Sequence, residues 1–338
     1  MSGTAPLLEI KDLSVQFPSP HGFLTVVDKV SFNVGRNDIV CVVGESGSGK
    51  SVTMQAAAGL VQSKGGRVSS GSVRFDGQEL VGMKPREINR IRGDAIGFIF
   101  QEPMSSLNPA YTVGEQIAEV VRRHRGASRA DAWKRAVEVM DRVYIASAAS
   151  RAKDYPHQFS GGMRQRVMIA MAIACEPKLL IADEPTTALD VTIQARILEL
   201  LRELQRDSGM SVIFITHDLG VVAEIARSVV VMYGAQVVES AQVDDLFRTP
   251  RHPYTSGLLN AMPAVALERG HDPIAIPGTV AQPHAWPTGC RFNPRCVYRQ
   301  DGICTTEPIP LRDLGTGRVR CVRSEALVAT MGRPLVTA

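Results

Sequence analysis

Two stretches near the start of the chain, LLEIKDLSVQF and FLTVVDKVSFNV, alternate apolar and polar residues. That is the period of strands buried on one face. DIVCVVG, ending at Gly44, is instead a continuous apolar run and predicts a strand buried on both faces. IGFIF, KLLIAD, SVIFIT and SVVVMY repeat that signal further on. Helices are predicted between them: KSVTMQAAAGL, residues 113 to 146, GGMRQRVMIAMAIAC and VTIQARILELLRELQRD. Strands alternating with helices predict an α/β domain with a largely parallel sheet. The pattern fades after about residue 262. From there to 338 the chain is rich in proline, glycine and cysteine, which predicts a small, loop-rich appendage.

The bulk properties restrict the setting more than the fold. A length of 338 residues is enough for about two domains with a sizeable core. The net charge of +4 is too weak a basic bias to indicate a nucleic-acid partner. No apolar run approaches the roughly 18 residues that a membrane-spanning helix needs. The opening MSGTAPLLEIKD lacks the basic start and apolar middle of a secretory signal. The expected compartment is therefore the cytoplasm, where thiols stay reduced and disulfides are disfavoured.

The first chemistry appears where the apolar strand ends. GESGSGKS, Gly44 to Ser51, fits G-x-x-x-x-G-K-[ST] between a strand and a helix, the context a phosphate-binding loop requires. Its glycines let backbone N–H groups turn toward phosphate oxygens, and the helix N-terminus adds partial positive charge. Lys50 is placed to reach the β- and γ-phosphates of ATP, and the Ser51 hydroxyl to ligate Mg²⁺. A glycine-rich turn that binds nothing has no need of every fixed position and both flanks. LLIADE, Leu179 to Glu184, supplies a second part. Its apolar strand delivers Asp183 to the edge where ligands sit in such sheets, as a Mg²⁺ ligand, and Glu184 as general base for the attacking water.

FSGGMRQR, Phe159 to Arg166, precedes that strand; TALD, Thr187 to Asp190, follows it, and ITHD with His217 comes next. In this order the chain resembles the nucleotide-binding subunits of ABC transporters over about residues 7 to 250. The resemblance implies a P-loop ABC domain over 1–250 with a helical subdomain at about 102–175. Its nucleotide contacts would run through Gly44, Glu45, Ser46, Gly47, Ser48, Gly49, Lys50, Ser51 and Val52. Ser160, Gly161, Gly162 and Met163 match the signature motif, which closes over the γ-phosphate held by a partner subunit; Met163 stands where glutamine is usual. Gln101 matches the loop glutamine at the Mg²⁺, Asp190 the turn at the dimer interface, and His217 the switch histidine at the γ-phosphate. Phe17 matches the aromatic that stacks on adenine, although it fits the core equally and Phe23 lies near. A non-hydrolysing regulator is disfavoured by Lys50, Asp183, Glu184 and His217 together. A soluble ABC ATPase of translation or repair is disfavoured by the single cassette and the lack of heptads.

FQEPMSSLNP, the run from Tyr155 to Ala195, and RHPYTSGLL narrow the resemblance to ATPases of oligopeptide, dipeptide and nickel importers. That branch implies a paralogous ATPase partner, two permeases and a periplasmic or extracellular binding protein. The chain would lie peripherally on the cytoplasmic face of the inner membrane. Peptides are the expected cargo, with nickel, opines or glutathione as alternatives. Pro103, Pro109 and MSSLN fit an exposed loop for docking permeases. The tail, residues 251–338, carries CRFNPRC and four cysteines spaced Cys290-x5-Cys296-x7-Cys304-x16-Cys321. Four thiols in a reduced compartment indicate a metal site, the alternative being four unrelated buried cysteines such as Cys41 and Cys175. Zinc sites commonly use pairs spaced by two to four residues, and none occurs here, so an iron–sulfur cluster suits as well or better. The matching tails of the branch imply a four-iron, four-sulfur cluster, with zinc as the alternative. On this reading the tail is a separate appendage, and Cys290→Ser should leave nucleotide binding nearly intact.

Overall fold

The structure is a computed structural model and describes residues 5–101, 106–187, 189–268, 270 and 272–331. The described strands are, in chain order, β1 Leu8–Ser19, β2 Gly22–Val34, β3 Ile39–Val43, β4 Arg67–Phe75, β5 Gln78–Glu79 and β6 Ile96–Ile99. They continue with β7 Leu179–Asp183, β8 Ser211–Thr216, β9 Ser228–Tyr233, β10 Gln236–Gln242, β11 Arg312–Asp313 and β12 Gly317–Val319. The chain divides into two compact units. One gathers Val34–Asp38 and Gly82–Ile215 with the residues up to Leu7; the other holds Leu8–Asn33, Ile39–Val81 and everything from Thr216 onward.

In the first unit β6, β7 and β8 run parallel, with Ile96 opposite Leu179 and Leu179 opposite Ser211. Every residue of β7 and β8 within it is buried, as continuous apolar runs predict. The helices Val113–Arg125, Arg129–Arg142 and Gly161–Ile173 pack together on buried Ile117, Ala136, Val139 and Val167. The one helical stretch predicted over 113 to 146 is thus two helices. Gly126 ends the first at φ 63°, and the Ser128 side chain caps the second by accepting from the Asp131 N–H. Thr112, Ser160 and Asp190 start three other helices with the same device, each accepting from the residue three positions on.

In the second unit β2, β1, β4 and β5 form one antiparallel sheet. The alternating stretches predicted as half-buried strands are its first two members. A separate ladder runs β3, β9, β10, β12, β11. β3 and β9 are parallel, with Val40 opposite Ser228, and β3 is nearly all buried. β10 then turns antiparallel to β9, and β12 from the tail pairs antiparallel with β10. The tail is therefore hydrogen-bonded onto a sheet rather than hanging from it. Buried Arg320 tightens that join, donating to the carbonyls of Val237 at 2.8 Å and Ile309 at 2.7 Å. Among the described residues no helix is long and apolar enough to cross a membrane.

Candidate active site

The phosphate loop follows β3 and opens the helix Lys50–Ala57. Two of its glycines are required by space as well as conformation. Gly44 has φ 149°, and a Cβ there would lie 2.1 Å from the Met232 carbonyl oxygen. Gly49 has φ 95°, and a Cβ would meet the Val26 carbonyl at 2.9 Å. Lys50 is buried at 5 % exposure, and its ammonium donates to the Gly44 carbonyl at 2.7 Å and the Glu45 carbonyl at 3.1 Å. The lysine is held at the loop rather than swinging in solvent. The Ser48 N–H donates to the Glu45 carbonyl at 3.2 Å, and the Ser48 carbonyl accepts from Ala235 at 3.1 Å. Among the described residues the buried Ser48 hydroxyl has no hydrogen-bond partner, whereas Ser46 and Gly47 are exposed and Ser51 and Val52 half-buried. A concave backbone, a fixed cation and a helix N-terminus suit a polyphosphate.

β1 packs on this helix and carries Phe17, which is half-buried with its ring against Gly66; a Cβ on Gly66 would lie 2.7 Å from it. Phe23 is half exposed, with the Arg67 guanidinium 3.5 Å above its ring. His217 is exposed after β8, one residue before Asp218, which caps the helix Leu219–Ile225.

The other residues predicted for the nucleotide site lie in the first unit. β7 ends in Asp183, buried at 2 % exposure. Glu184 follows with φ 46°, a left-handed conformation that costs a non-glycine residue on the order of 1 kcal/mol or more. Its N–H donates to the Ile215 carbonyl at 3.1 Å. Its carboxylate accepts from the Gln101 amide at 3.0 Å and from the Thr187 hydroxyl at 2.9 Å. Gln101 was expected at the Mg²⁺, and the structure brings it to the candidate base. Thr187, within TALD, is an orienting partner that the sequence reading did not single out.

Ser160 caps the helix Gly161–Ile173, its hydroxyl accepting from Met163 at 3.4 Å. Ser160 and Gly161 are exposed, and nothing lies within 4 Å of a Cβ built on Gly161. A Cβ on Gly162 would meet the Ile193 side chain at 2.9 Å. The Ile193 N–H in turn donates to Asp190 at 2.9 Å. Ile193 thus connects Gly162 with Asp190. Pro103, Met104, Ser105 and Ala188 lie outside the described residues.

The four tail cysteines line one small cavity of about 20 Å³, together with His252, Phe292, Tyr298 and Leu327. The Cys290 N–H donates to the Cys304 carbonyl at 2.9 Å, and the Asn293 side chain donates to the Cys290 carbonyl at 2.8 Å. Burial, with the neighbouring thiols adding to it, pushes Cys290 up to about 11 and Cys296 to about 12; Cys321 is raised for the same reasons. All six cysteines are free, so no disulfide occupies the tail. Among the described residues no three His, Cys, Asp or Glu side chains are gathered so as to hold a metal ion. The donor set suits a thiolate-bound group, but its present spacing is not that of a single-ion site.

Fold and phosphate loop together define a P-loop nucleotide-binding protein, and comparison with known proteins specifies the family. The ABC transporter family profile matches residues 27–187, and that of the oligopeptide/dipeptide transporter C-terminal region matches residues 238–304. The oligopeptide transport ATP-binding protein AppD of Bacillus subtilis is 49% identical over 316 residues, covering 93% of this chain and 96% of its own. OppD of Salmonella typhimurium, with the same description, is 49% identical over 93% of this chain and 92% of its own. Among solved structures, a dimeric bacterial ABC transporter cassette matches with TM-score 0.63 and 29% identity, covering 70% of this chain and 98% of the cassette. A dimer of a cassette bound to ADP and phosphate matches equally, at 28% identity. The chain belongs to the ABC transporter family and is an ABC-type ATPase.

Proposed function

We propose that this chain powers the import of dipeptides or oligopeptides as one of two paralogous ATPases beneath two permeases, with an external binding protein delivering the cargo. It would sit peripherally on the cytoplasmic face of the membrane. The observation that carries the reading is the match of residues 238–304 to the oligopeptide/dipeptide transporter region, on the same chain as a complete phosphate loop. The printed descriptions of AppD and OppD support the same cargo class. Residues 1–250 serve as the ABC domain and 251–338 as the importer-type extension. Lys50 and the loop N–H groups hold the phosphates of ATP. Ser51, Asp183 and Gln101 are the residues to hold Mg²⁺, which neutralises phosphate charge when bound. Glu184 accepts the proton of the attacking water, oriented by Gln101 and Thr187. His217 contacts the γ-phosphate, and Phe17 stacks on adenine. Ser160, Gly161, Gly162 and Met163 close over the nucleotide of the partner subunit, with Asp190 at the interface.

Cys290, Cys296, Cys304 and Cys321 hold a four-iron, four-sulfur cluster in a structural role. Four thiols on one cavity support this, and a cluster keeps its thiolates farther apart than a single ion does. Anaerobically purified protein is then brown and contains iron and acid-labile sulfide, whereas colourless protein with one zinc would replace the cluster by zinc. The cargo is tested in proteoliposomes holding both ATPases, both permeases and the binding protein. Peptides should stimulate ATP hydrolysis; stimulation by nickel, an opine or glutathione instead would reassign the cargo.

A further inference from the structure

Three groups of one phosphate-loop residue, Glu45, are held from three directions. Its N–H donates to the Tyr254 hydroxyl at 2.8 Å. Its carbonyl accepts from the Lys50 ammonium at 3.1 Å. Its carboxylate receives a two-pronged contact from Arg295, with Nη1–Oε2 at 2.7 Å and Nη2–Oε1 at 3.1 Å. Arg295 is the arginine of CRFNPRC immediately before Cys296. It is buried, and its Nε donates to the Pro277 carbonyl at 2.8 Å. The Tyr254 ring packs against Tyr233 at 4.7 Å and against Phe292, two residues past Cys290, at 5.4 Å. The other arginine of the segment, Arg291, ends beside the same loop. It donates to the Gly234 carbonyl and pairs with Asp28, and the next residue, Ala235, donates to Ser48 of the loop.

A carboxylate beside a triphosphate site opposes binding unless it is neutralised. A buried ion pair does little for net stability, but losing one partner strands a charge. A loop already ordered also avoids an entropy cost on binding. We propose that Arg295 is a positioning residue of the nucleotide site: it neutralises and orients Glu45, so that an ordered cysteine segment sets the affinity for ATP. The proposal rests on reading Gly44–Ser51 as the nucleotide loop. It contradicts the expectation that Cys290→Ser leaves nucleotide binding nearly intact.

Titration of the full chain with a fluorescent ATP analogue and Mg²⁺, alongside thermal unfolding, tests this. Arg295→Gln should raise Kd on the order of ten-fold. Arg295→Lys, which keeps the charge but loses the fork, should lie between it and wild type. The double variant Glu45→Gln/Arg295→Gln should recover to within about three-fold of wild type, because no carboxylate is left stranded. A purely structural arginine would leave the double variant no better than Arg295→Gln, and that result overturns the proposal, as does unchanged affinity in Arg295→Gln. Cys290→Ser should shift Kd in the same direction as Arg295→Gln. If Arg295→Gln does not fold, Arg295→Lys carries the test, since it keeps the charge and loses the two-pronged contact; unchanged Kd there also overturns the proposal. Wild-type protein that binds no nucleotide would sink the nucleotide-site reading instead.

Discussion

Two helix N-termini serve this protein, and they are built in opposite ways. At Lys50 the start of the helix is backed by a buried lysine, by glycines pressed against neighbouring carbonyls, and by Tyr254 and Arg295 on Glu45. At Gly161 the helix start is exposed, capped only by its own Ser160, with open space above it. The first is held by contacts from its own fold. The second has no protein wall among the described residues of its own unit. Binding strength should therefore reside in the first and turnover should depend on the second.

The largest effect separates holding nucleotide from hydrolysing it. Glu184→Gln should keep nucleotide affinity but lower turnover of the assembled transporter by about 10²–10⁴, the range for loss of a general base. Wild-type turnover would remove Glu184 from the chemistry and leave the contacts from Gln101 and Thr187 without a catalytic purpose. Gly161→Asp comes next. It should leave the isolated chain's affinity unchanged yet cut turnover of the assembly by about 10², comparable to losing transition-state donors. A drop in the isolated chain's affinity would break the contrast between the two helix starts. Lys50→Ala should weaken the analogue by roughly 10–100-fold in the isolated chain, the value of one or two charge-assisted hydrogen bonds.

A last effect bears on stability rather than on nucleotide and concerns β10. Glu239 on β10 is 1 % exposed, and its carboxylate accepts from the N–H groups of Arg251 at 2.7 Å and His252 at 2.8 Å. Burial pushes its pKa up to about 7 despite those bonds. A carboxyl raised on folding contributes stability that is fully present below the unfolded value near 4.5 and lost as pH rises through about 7. Wild type should therefore lose stability relative to Glu239→Gln between pH 5 and pH 8, by up to about 3 kcal/mol. Parallel unfolding curves across that range would show that the carboxyl is not shifted.

The phosphate loop was legible because its pattern is local: eight consecutive residues carry the turn, the buried lysine and the serine that opens the helix. The buried parallel strands were legible from apolar runs, and β3, β6, β7, β8 and β9 lie where those runs fall. The break at Gly126 was written in the chain as glycine followed by a serine cap, but the continuing apolar period hid it. Pairings between distant segments left no local mark. Nothing in CRFNPRC announces that Arg295 reaches Glu45, or that β12 joins β10. The hydrogen bond from Gln101 to Glu184 was invisible for the same reason, although both residues were picked out separately.

The pairing of Glu45 with Arg295 spans 250 positions of the chain. A ribosome adding about 5–20 residues per second makes the loop roughly 10–50 s before it makes the arginine that completes it. The loop is thus synthesised early and finished late. A product that stops short of residue 295 carries every letter of the phosphate motif but leaves the Glu45 carboxylate without its partner. On the role proposed for Arg295, nucleotide affinity reports whether translation has passed residue 295, and copies that stop before it should compete poorly for ATP.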